Sequence, residues 1–143
     1  GGGDGAMVSQ AAECGACGMA VSEQPAPRAQ TVRRDGTRAY FCSLADLVQA
    51  VREPSPHGKV RSVFVEAMTA AVDPGERETG AHPWLAADQA WYLVGITREG
   101  VMGEPALAFR SQAEATAAAA KFGGRVVGWT GLAAALTRDP TAR

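Results

Sequence analysis

The same order of predicted elements occurs twice in this chain of 143 residues, and this repetition restricts the possible folds more than any other feature. In each half, two strand-like segments precede a helix that begins after a serine, and a further strand-like segment follows. Ser43 and Ser111 occupy equivalent positions, because each stands two residues after a phenylalanine, Phe41 or Phe109. The sequence therefore predicts an α+β fold of two ββαβ units in tandem, packed together.

The first half contains clear turn and cap signals. Asp35 and Gly36 are typical of a hairpin turn between two strands. Ser43 is a favourable N-cap, and apolar residues recur after it at helical spacing until Pro54. The predicted elements are strands at residues 30–34 and 38–42, a helix at 44–52 and a strand at 60–65.

The second half gives the same order. Gly123 and Gly124 end an alanine-rich helix that begins after Ser111. The predicted elements are strands at residues 90–96 and 105–109, a helix at 112–122, a strand at 125–129 and a short helix at 131–136. We therefore divide the chain into a flexible N-terminal tether (1–11), a first unit (12–70), a linker (71–88) and a second unit (89–143).

Charge and cysteine content limit the class of function. The net charge of -1 provides no basic field, so nucleic acid is not an expected partner. The three cysteines are an odd number and too few for a disulfide scaffold. Two of them, Cys14 and Cys17, form a C-x-x-C motif, which favours metal or redox chemistry.

The segment from Cys14 to Met19 is suited to a soft metal ion. Glycines beside both cysteines permit the tight backbone turn that directs two sulfur atoms toward one point. Cys17 and Met19 are two residues apart, so in an extended segment their side chains point to the same face. Thiolate and thioether ligands together favour Cu(I). A redox dithiol and an inert loop are the alternatives.

Several further landmarks occur in a fixed order along the chain, and with them the sequence resembles the NosL family, the accessory lipoproteins of nitrous oxide reductase. The resemblance extends from about residue 12 to about residue 129. Its landmarks are Cys-Gly-Met at 17–19, Asp-Gly at 35–36 leading to Tyr-Phe-Cys-Ser at 40–43, Trp-Leu at 84–85, Ala-Trp-Tyr-Leu-Val-Gly at 90–95, Val-Met-Gly at 101–103 and Gly-Gly-Arg-Val at 123–126.

This resemblance implies a function in denitrification. A NosL-like protein is a Cu(I) metallochaperone and not an enzyme. It is periplasmic or on the outer face of the cytoplasmic membrane, and lipid-anchored in its native precursor. It delivers copper for the copper–sulfide centre of nitrous oxide reductase, either to that enzyme or to a membrane-associated assembly complex. The family fold is similar to part of organomercurial lyase, which agrees with the two predicted ββαβ units.

The resemblance also implies the copper ligands. The positions that match the family pattern are Cys17, Met19 and Met102. Cys14 is a further metal candidate. Met102 follows a predicted turn at residues 98–100, where a thioether has little reason to pack, although methionine also fills gaps between units.

Three other residues are weaker metal candidates. His82 carries an imidazole near the end of the linker, Met68 follows the third predicted strand, and Cys42 precedes a helix N-cap, where an exposed thiol has a lowered pKa. Packing is the simpler explanation for Met68 and Cys42. Cys42 with the Cys-Gly-Met segment also resembles a TRASH-type metal-binding module, but that module requires a cysteine where Ala45 stands.

Two other functional classes are compatible with the motifs. A thiol/disulfide oxidoreductase of the thioredoxin type places C-x-x-C at a helix start, whereas Gly18 and the prolines after it disfavour a helix here. A zinc-stabilised module needs four ligands from a chain with three cysteines and two histidines. Both remain alternatives to the copper carrier.

Overall fold

The chain was analysed as a computed structural model that describes residues 27–41, 43–68, 83–96 and 106–136. The first half contains strands β1 (Ala29–Arg33) and β2 (Arg38–Phe41), helix α1 (Leu44–Arg52), and strands β3 (Val60–Glu66) and β4 (Trp84–Ala86). A single 3-10 turn, Ala87–Gln89, leads to the second half. There the elements are β5 (Trp91–Val94), β6 (Ala106–Phe109), α2 (Gln112–Phe122), β7 (Arg125–Val127) and α3 (Trp129–Leu136).

The two sheets share the same arrangement of three strands, and β4 extends the first sheet by a fourth strand. The first sheet has the strand order β2-β1-β3-β4 and the second has β6-β5-β7, with all neighbouring strands antiparallel. In each sheet the first strand of the unit is central, with the second and third strands on either side of it. The predicted α+β fold of two ββαβ units is confirmed. The likeness to organomercurial lyase stays a prediction.

Serine caps start both principal helices. The Ser43 hydroxyl accepts a hydrogen bond from the Asp46 amide at 3.1 Å, and the Ser111 hydroxyl accepts one from the Glu114 amide at 3.1 Å. These bonds satisfy amides that have no partner within the helix. The bounds of both helices agree with the prediction, which rested on the cap and apolar spacing for α1 and on the cap and the terminating glycines for α2.

Two segments differ from the prediction. The end of the linker supplies β4, in which Leu85 pairs with Val65; three residues are too few to show strand periodicity in sequence. Trp129, predicted to end a strand, begins α3 instead. The Leu132 amide donates to the Gly128 carbonyl at 2.9 Å, and Leu132 and Leu136 bury the same face of this helix.

The two units share a core. Leu44, Leu47 and Val48 of α1 pack in one cluster with residues of β5 and α3. A second cluster lies between the other face of the second sheet and α2, and contains Met68, Leu93, Leu107, Phe109, Ala115 and Ala118. The second sheet is therefore covered on both faces, which explains why every residue of β6 is buried.

Candidate metal centre

The strand register gathers four chain segments at one end of the first sheet. Ala29, at the start of β1, pairs with Phe41 on one side and Val65 on the other. Val65 in turn pairs with Leu85 near the start of β4. We call this end of the strands the Ala29 end. The opposite end of the strands, where β1 finishes, is the Arg33 end.

Most predicted metal ligands belong to segments that join the first sheet at the Ala29 end. The Cys-Gly-Met segment precedes β1, Cys42 directly follows Phe41, Met68 lies two residues after β3, and His82 lies two residues before β4. Of the predicted ligands, Cys14, Cys17, Met19, Cys42, His82 and Met102 are outside the described residues. The described strands thus fix the attachment points of these segments.

Met68 is the predicted candidate whose surroundings the structure describes. It is 1% exposed and lies in the apolar cluster beneath α2. Its amide donates to the Ala108 carbonyl at 2.7 Å, and it forms an isolated parallel bridge with Phe109. Met68 therefore connects the end of β3 to the free edge of β6. This environment suits a packing role, and a ligand role for Met68 remains a prediction.

Met102 belongs to the connection between β5 and β6. Phe109, at the end of β6, forms the parallel bridge with Met68. The end of β6 therefore lies beside the segment that follows β3. Ala106 is three residues before Phe109, about 10 Å along a strand. Met102 is four residues before Ala106, a chain length that spans up to about 14 Å. Chain connectivity therefore permits the two halves to contribute ligands to one ion.

A buried ion pair at the Ala29 end was missed in the sequence. Glu66 and Arg28 have side-chain exposures of 3% and 7%, and their closest approach is 2.6 Å between Glu66 Oε1 and Arg28 Nε. The Glu66 amide also donates to the Arg28 carbonyl at 3.0 Å. The available signal was a carboxylate at the end of a β-branched strand, a position that normally requires a charged partner. The pair anchors the residue that directly precedes β1 to the end of β3.

The described residues contain neither a ready-made cluster of metal ligands nor a membrane-spanning helix. Within residues 27–41, 43–68, 83–96 and 106–136, no three His, Cys, Asp or Glu side chains are grouped closely enough to hold a metal ion. None of the helices in these ranges has the length and apolar character needed to cross a membrane.

The fold and the attachment points together define a class of protein, an α+β protein of two ββαβ units in which most of the sulfur-containing segments adjoin one end of the first sheet. The family model of NosL matches residues 6–137. The chain belongs to the NosL family.

Relatives and solved structures agree with this assignment. The chain is 33% identical over 127 residues to a protein of Achromobacter cycloclastes named copper-binding lipoprotein NosL, covering 87% of this chain and 65% of that protein. It is 30% identical over 127 residues to the protein of the same name from Stutzerimonas stutzeri, covering 89% of this chain and 65% of that protein. The chain thus spans slightly less than two thirds of the length of these relatives.

The fold matches solved NosL structures. The crystal structure of the copper chaperone NosL from Shewanella denitrificans aligns with a TM-score of 0.72 at 26% identity, covering 89% of this chain and 93% of that one. The solution structure of apo-NosL from Achromobacter cycloclastes aligns with a TM-score of 0.52 at 31% identity, covering 71% and 82%.

Proposed function

We propose that this chain is a non-enzymatic Cu(I) carrier that acts outside the cytoplasm, with a lipid anchor in its native precursor. The copper ion is its cargo. The proposal is supported by the family assignment and by relatives named copper-binding lipoprotein and copper chaperone. The acceptor in this proposal is nitrous oxide reductase or a membrane-associated complex that assembles its copper–sulfide centre.

The proposed ligands are Cys17, Met19 and Met102, with Cys14 as an additional sulfur donor. A thiolate supplies negative charge to Cu(I), and thioethers add soft, neutral donors that bind Cu(I) in preference to harder divalent ions.

The observation that supports the proposal is that the chain segments carrying Cys17, Cys42 and His82 attach to the first sheet at the Ala29 end. The pairing of Ala29 with Phe41 and Val65 fixes the start of β1 beside the ends of β2 and β3. A ligand set drawn from separate segments can lose one member without the others leaving the ion. An acceptor thiolate or imidazole can then enter before the remaining ligands dissociate, so copper is exchanged and never released as a free ion.

The test is an anaerobic Cu(I) titration of the reduced protein against a chromogenic chelator. We expect binding of one copper ion per chain, weakened in the variants Cys17→Ser, Met19→Ala and Met102→Ala. Met7→Ala is the matched control, because Met7 is a methionine outside the proposed ligand set. His82→Ala, Cys14→Ser and Cys42→Ser then determine whether the weaker candidates contribute.

Two results would exclude the proposed site. The copper-carrier function is excluded if the protein cannot compete with the chelator for Cu(I). It is also excluded if the Cys17 and Met19 variants bind Cu(I) as tightly as the unmodified protein. A reversible Cys14–Cys17 disulfide with a measurable potential would then favour the dithiol alternative. Zinc that copurifies with the protein and resists Cu(I) exchange would favour the zinc module.

A further inference from the structure

Positive charge is concentrated at the Arg33 end of the first sheet, opposite the end where the sulfur-containing segments join. This basic end accounts for five of the 14 basic residues, whereas the chain as a whole has a net charge of -1. Its carboxylates are Asp35 and Glu53. The basic end consists of Arg33, Arg34, Arg52, Lys59 and Arg61.

Backbone contacts hold the basic end together. The Arg34 amide donates to the Lys59 carbonyl at 2.9 Å, which joins the β1–β2 turn to the loop after α1. The Arg33 guanidinium donates to the Gly58 carbonyl at 3.0 Å and to the Ala50 carbonyl at 2.9 Å. A Cβ added to Gly58 would lie 2.9 Å from the Cβ of Arg34, so these two residues are closely packed. These contacts fix the backbone of Arg34 and Lys59 and the side chain of Arg33 relative to one another.

Three of these cations surround an open cavity of about 570 Å³. Arg33, Arg52 and Lys59 line it together with one carboxylate, Glu53, and Pro54 forms part of its apolar wall. Arg52 and Lys59 are exposed, and Arg34 is exposed on the adjacent turn. Guanidinium and ammonium groups arranged in this way bind phosphate oxygens.

The nearby carboxylates bind other groups. Asp35 Oδ2 lies 2.8 Å from His57 Nδ1, and Glu53 Oε1 accepts a hydrogen bond from Gln49 Nε2 at 3.1 Å. Within the described residues, the side chains of Arg34, Arg52 and Lys59 form no ion pair. Arg33, Arg52 and Lys59 outnumber Glu53 at the cavity, so a net positive charge faces an anionic surface there.

We propose that the basic end binds the phosphate groups of anionic phospholipids and rests on the surface of the bilayer. The membrane location rests on the proposed function, since the relatives are named lipoproteins. A lipid anchor holds the domain close to the bilayer, where even weak attraction of several cations is effective. Contact through the Arg33 end directs the Ala29 end away from the membrane, so that the proposed copper ligands face the acceptor.

The test measures binding of the metal-free protein to sedimented vesicles. Vesicles of phosphatidylglycerol mixed with phosphatidylcholine are compared with vesicles of phosphatidylcholine alone. The test variant carries Arg34→Gln, Arg52→Gln and Lys59→Gln. The control variant carries Arg110→Gln, Lys121→Gln and Arg125→Gln, which removes the same charge from exposed positions of the second unit.

We expect salt-sensitive binding to the anionic vesicles alone. Each cation at a lipid surface contributes about a fivefold gain in binding, so the test variant should lose roughly 100-fold. The control variant should retain most of the affinity. Thermal unfolding of both variants should stay close to that of the unmodified protein, because the substituted side chains are exposed and the control loses only the exposed Arg110–Glu114 ion pair.

Three outcomes would overturn the proposal. Equal losses in the two variants would indicate attraction by net charge alone. Displacement by inorganic phosphate at constant ionic strength would indicate a site for free phosphate and not a bilayer. No vesicle binding, with copper binding intact, would leave the carrier function standing and direct the search to an acidic partner protein.

Discussion

Glu66 binds Arg28 with both carboxylate oxygens, and one of them also accepts a backbone hydrogen bond. Glu66 Oε1 lies 2.8 Å from the Arg28 amide and 2.6 Å from Nε, and Oε2 lies 3.0 Å from Nη2. Because the pair is buried, the loss of one partner leaves the other as an uncompensated charge. The stability of the Ala29 end therefore depends on both residues.

We expect Glu66→Gln to lower the free energy of unfolding by about 3–5 kcal/mol, measured by urea denaturation. Glu114→Gln is the matched control. Glu114 forms an exposed ion pair with Arg110 at 3.3 Å, and such pairs contribute under about 1 kcal/mol. If both substitutions lowered the free energy of unfolding equally, burial would not explain the contribution of the Arg28–Glu66 pair to stability.

The serine caps of α1 and α2 should have similar energetic roles. We expect Ser111→Ala to lower the free energy of unfolding by about 1 kcal/mol, because the Glu114 amide loses its acceptor. Ser111→Asp should restore most of this loss, since an aspartate accepts the same bond. Calorimetry of both variants measures the difference, and a failure of Asp to rescue would contradict the capping role.

The adjacent glycines after α2, Gly123 and Gly124, have similar backbone conformations but differ in the space available for a side chain. A Cβ at Gly124, where φ is +85°, would meet the carbonyl oxygen of Val94 inside van der Waals contact, whereas at Gly123, where φ is +82°, it meets nothing within 4 Å. Gly123→Ala should cost about 1–3 kcal/mol from backbone strain alone. Gly124→Ala should cost more, because β5 and the start of β7 must separate. Chemical denaturation measures the free energy of unfolding of both variants. A larger loss for Gly123→Ala than for Gly124→Ala would refute the steric argument.

Substitutions at Met68 separate packing from metal binding. Met68→Leu keeps the volume of a side chain that is 1% exposed, so it should cost under about 1.5 kcal/mol, whereas Met68→Ala should cost about 2–5 kcal/mol. If Met68 only packs, Met68→Leu leaves the Cu(I) affinity unchanged in the chelator titration. A weaker affinity in the leucine variant would place the thioether among the ligands.

Asp35 gives a prediction about acid stability. Hydrogen bonds from Thr37, with a further contribution from His57, lower the pKa of Asp35 from 3.8 to about 2. A folded-state pKa below the unfolded value means that the stabilisation is present above pH 3.8 and is lost as the pH falls toward 2. The stability difference between the unmodified protein and Asp35→Asn should therefore narrow over that window. A difference that stays constant with pH would contradict this assignment.

The local elements were predictable because their signals are local. Ser43 with the apolar spacing after it specified α1, Ser111 with the terminating glycines specified α2, and Asp35 with Gly36 specified the first turn. The repeated order of elements specified two units of the same topology. The Cys-Gly-Met segment predicts a soft-metal site from sequence alone, since thiolate and thioether preferences are properties of the side chains, and this assignment stays a prediction.

The tertiary structure decided which distant residues meet. Trp84–Ala86 is a strand only because β3 offers a free edge for it, and Trp129 enters α3 because Leu132 and Leu136 fill the core shared by the two units. The pairing of Arg28 with Glu66, 38 positions apart, depends on the β1–β3 register. Contacts of this kind result from packing among separate segments, and no local pattern along the chain determines them.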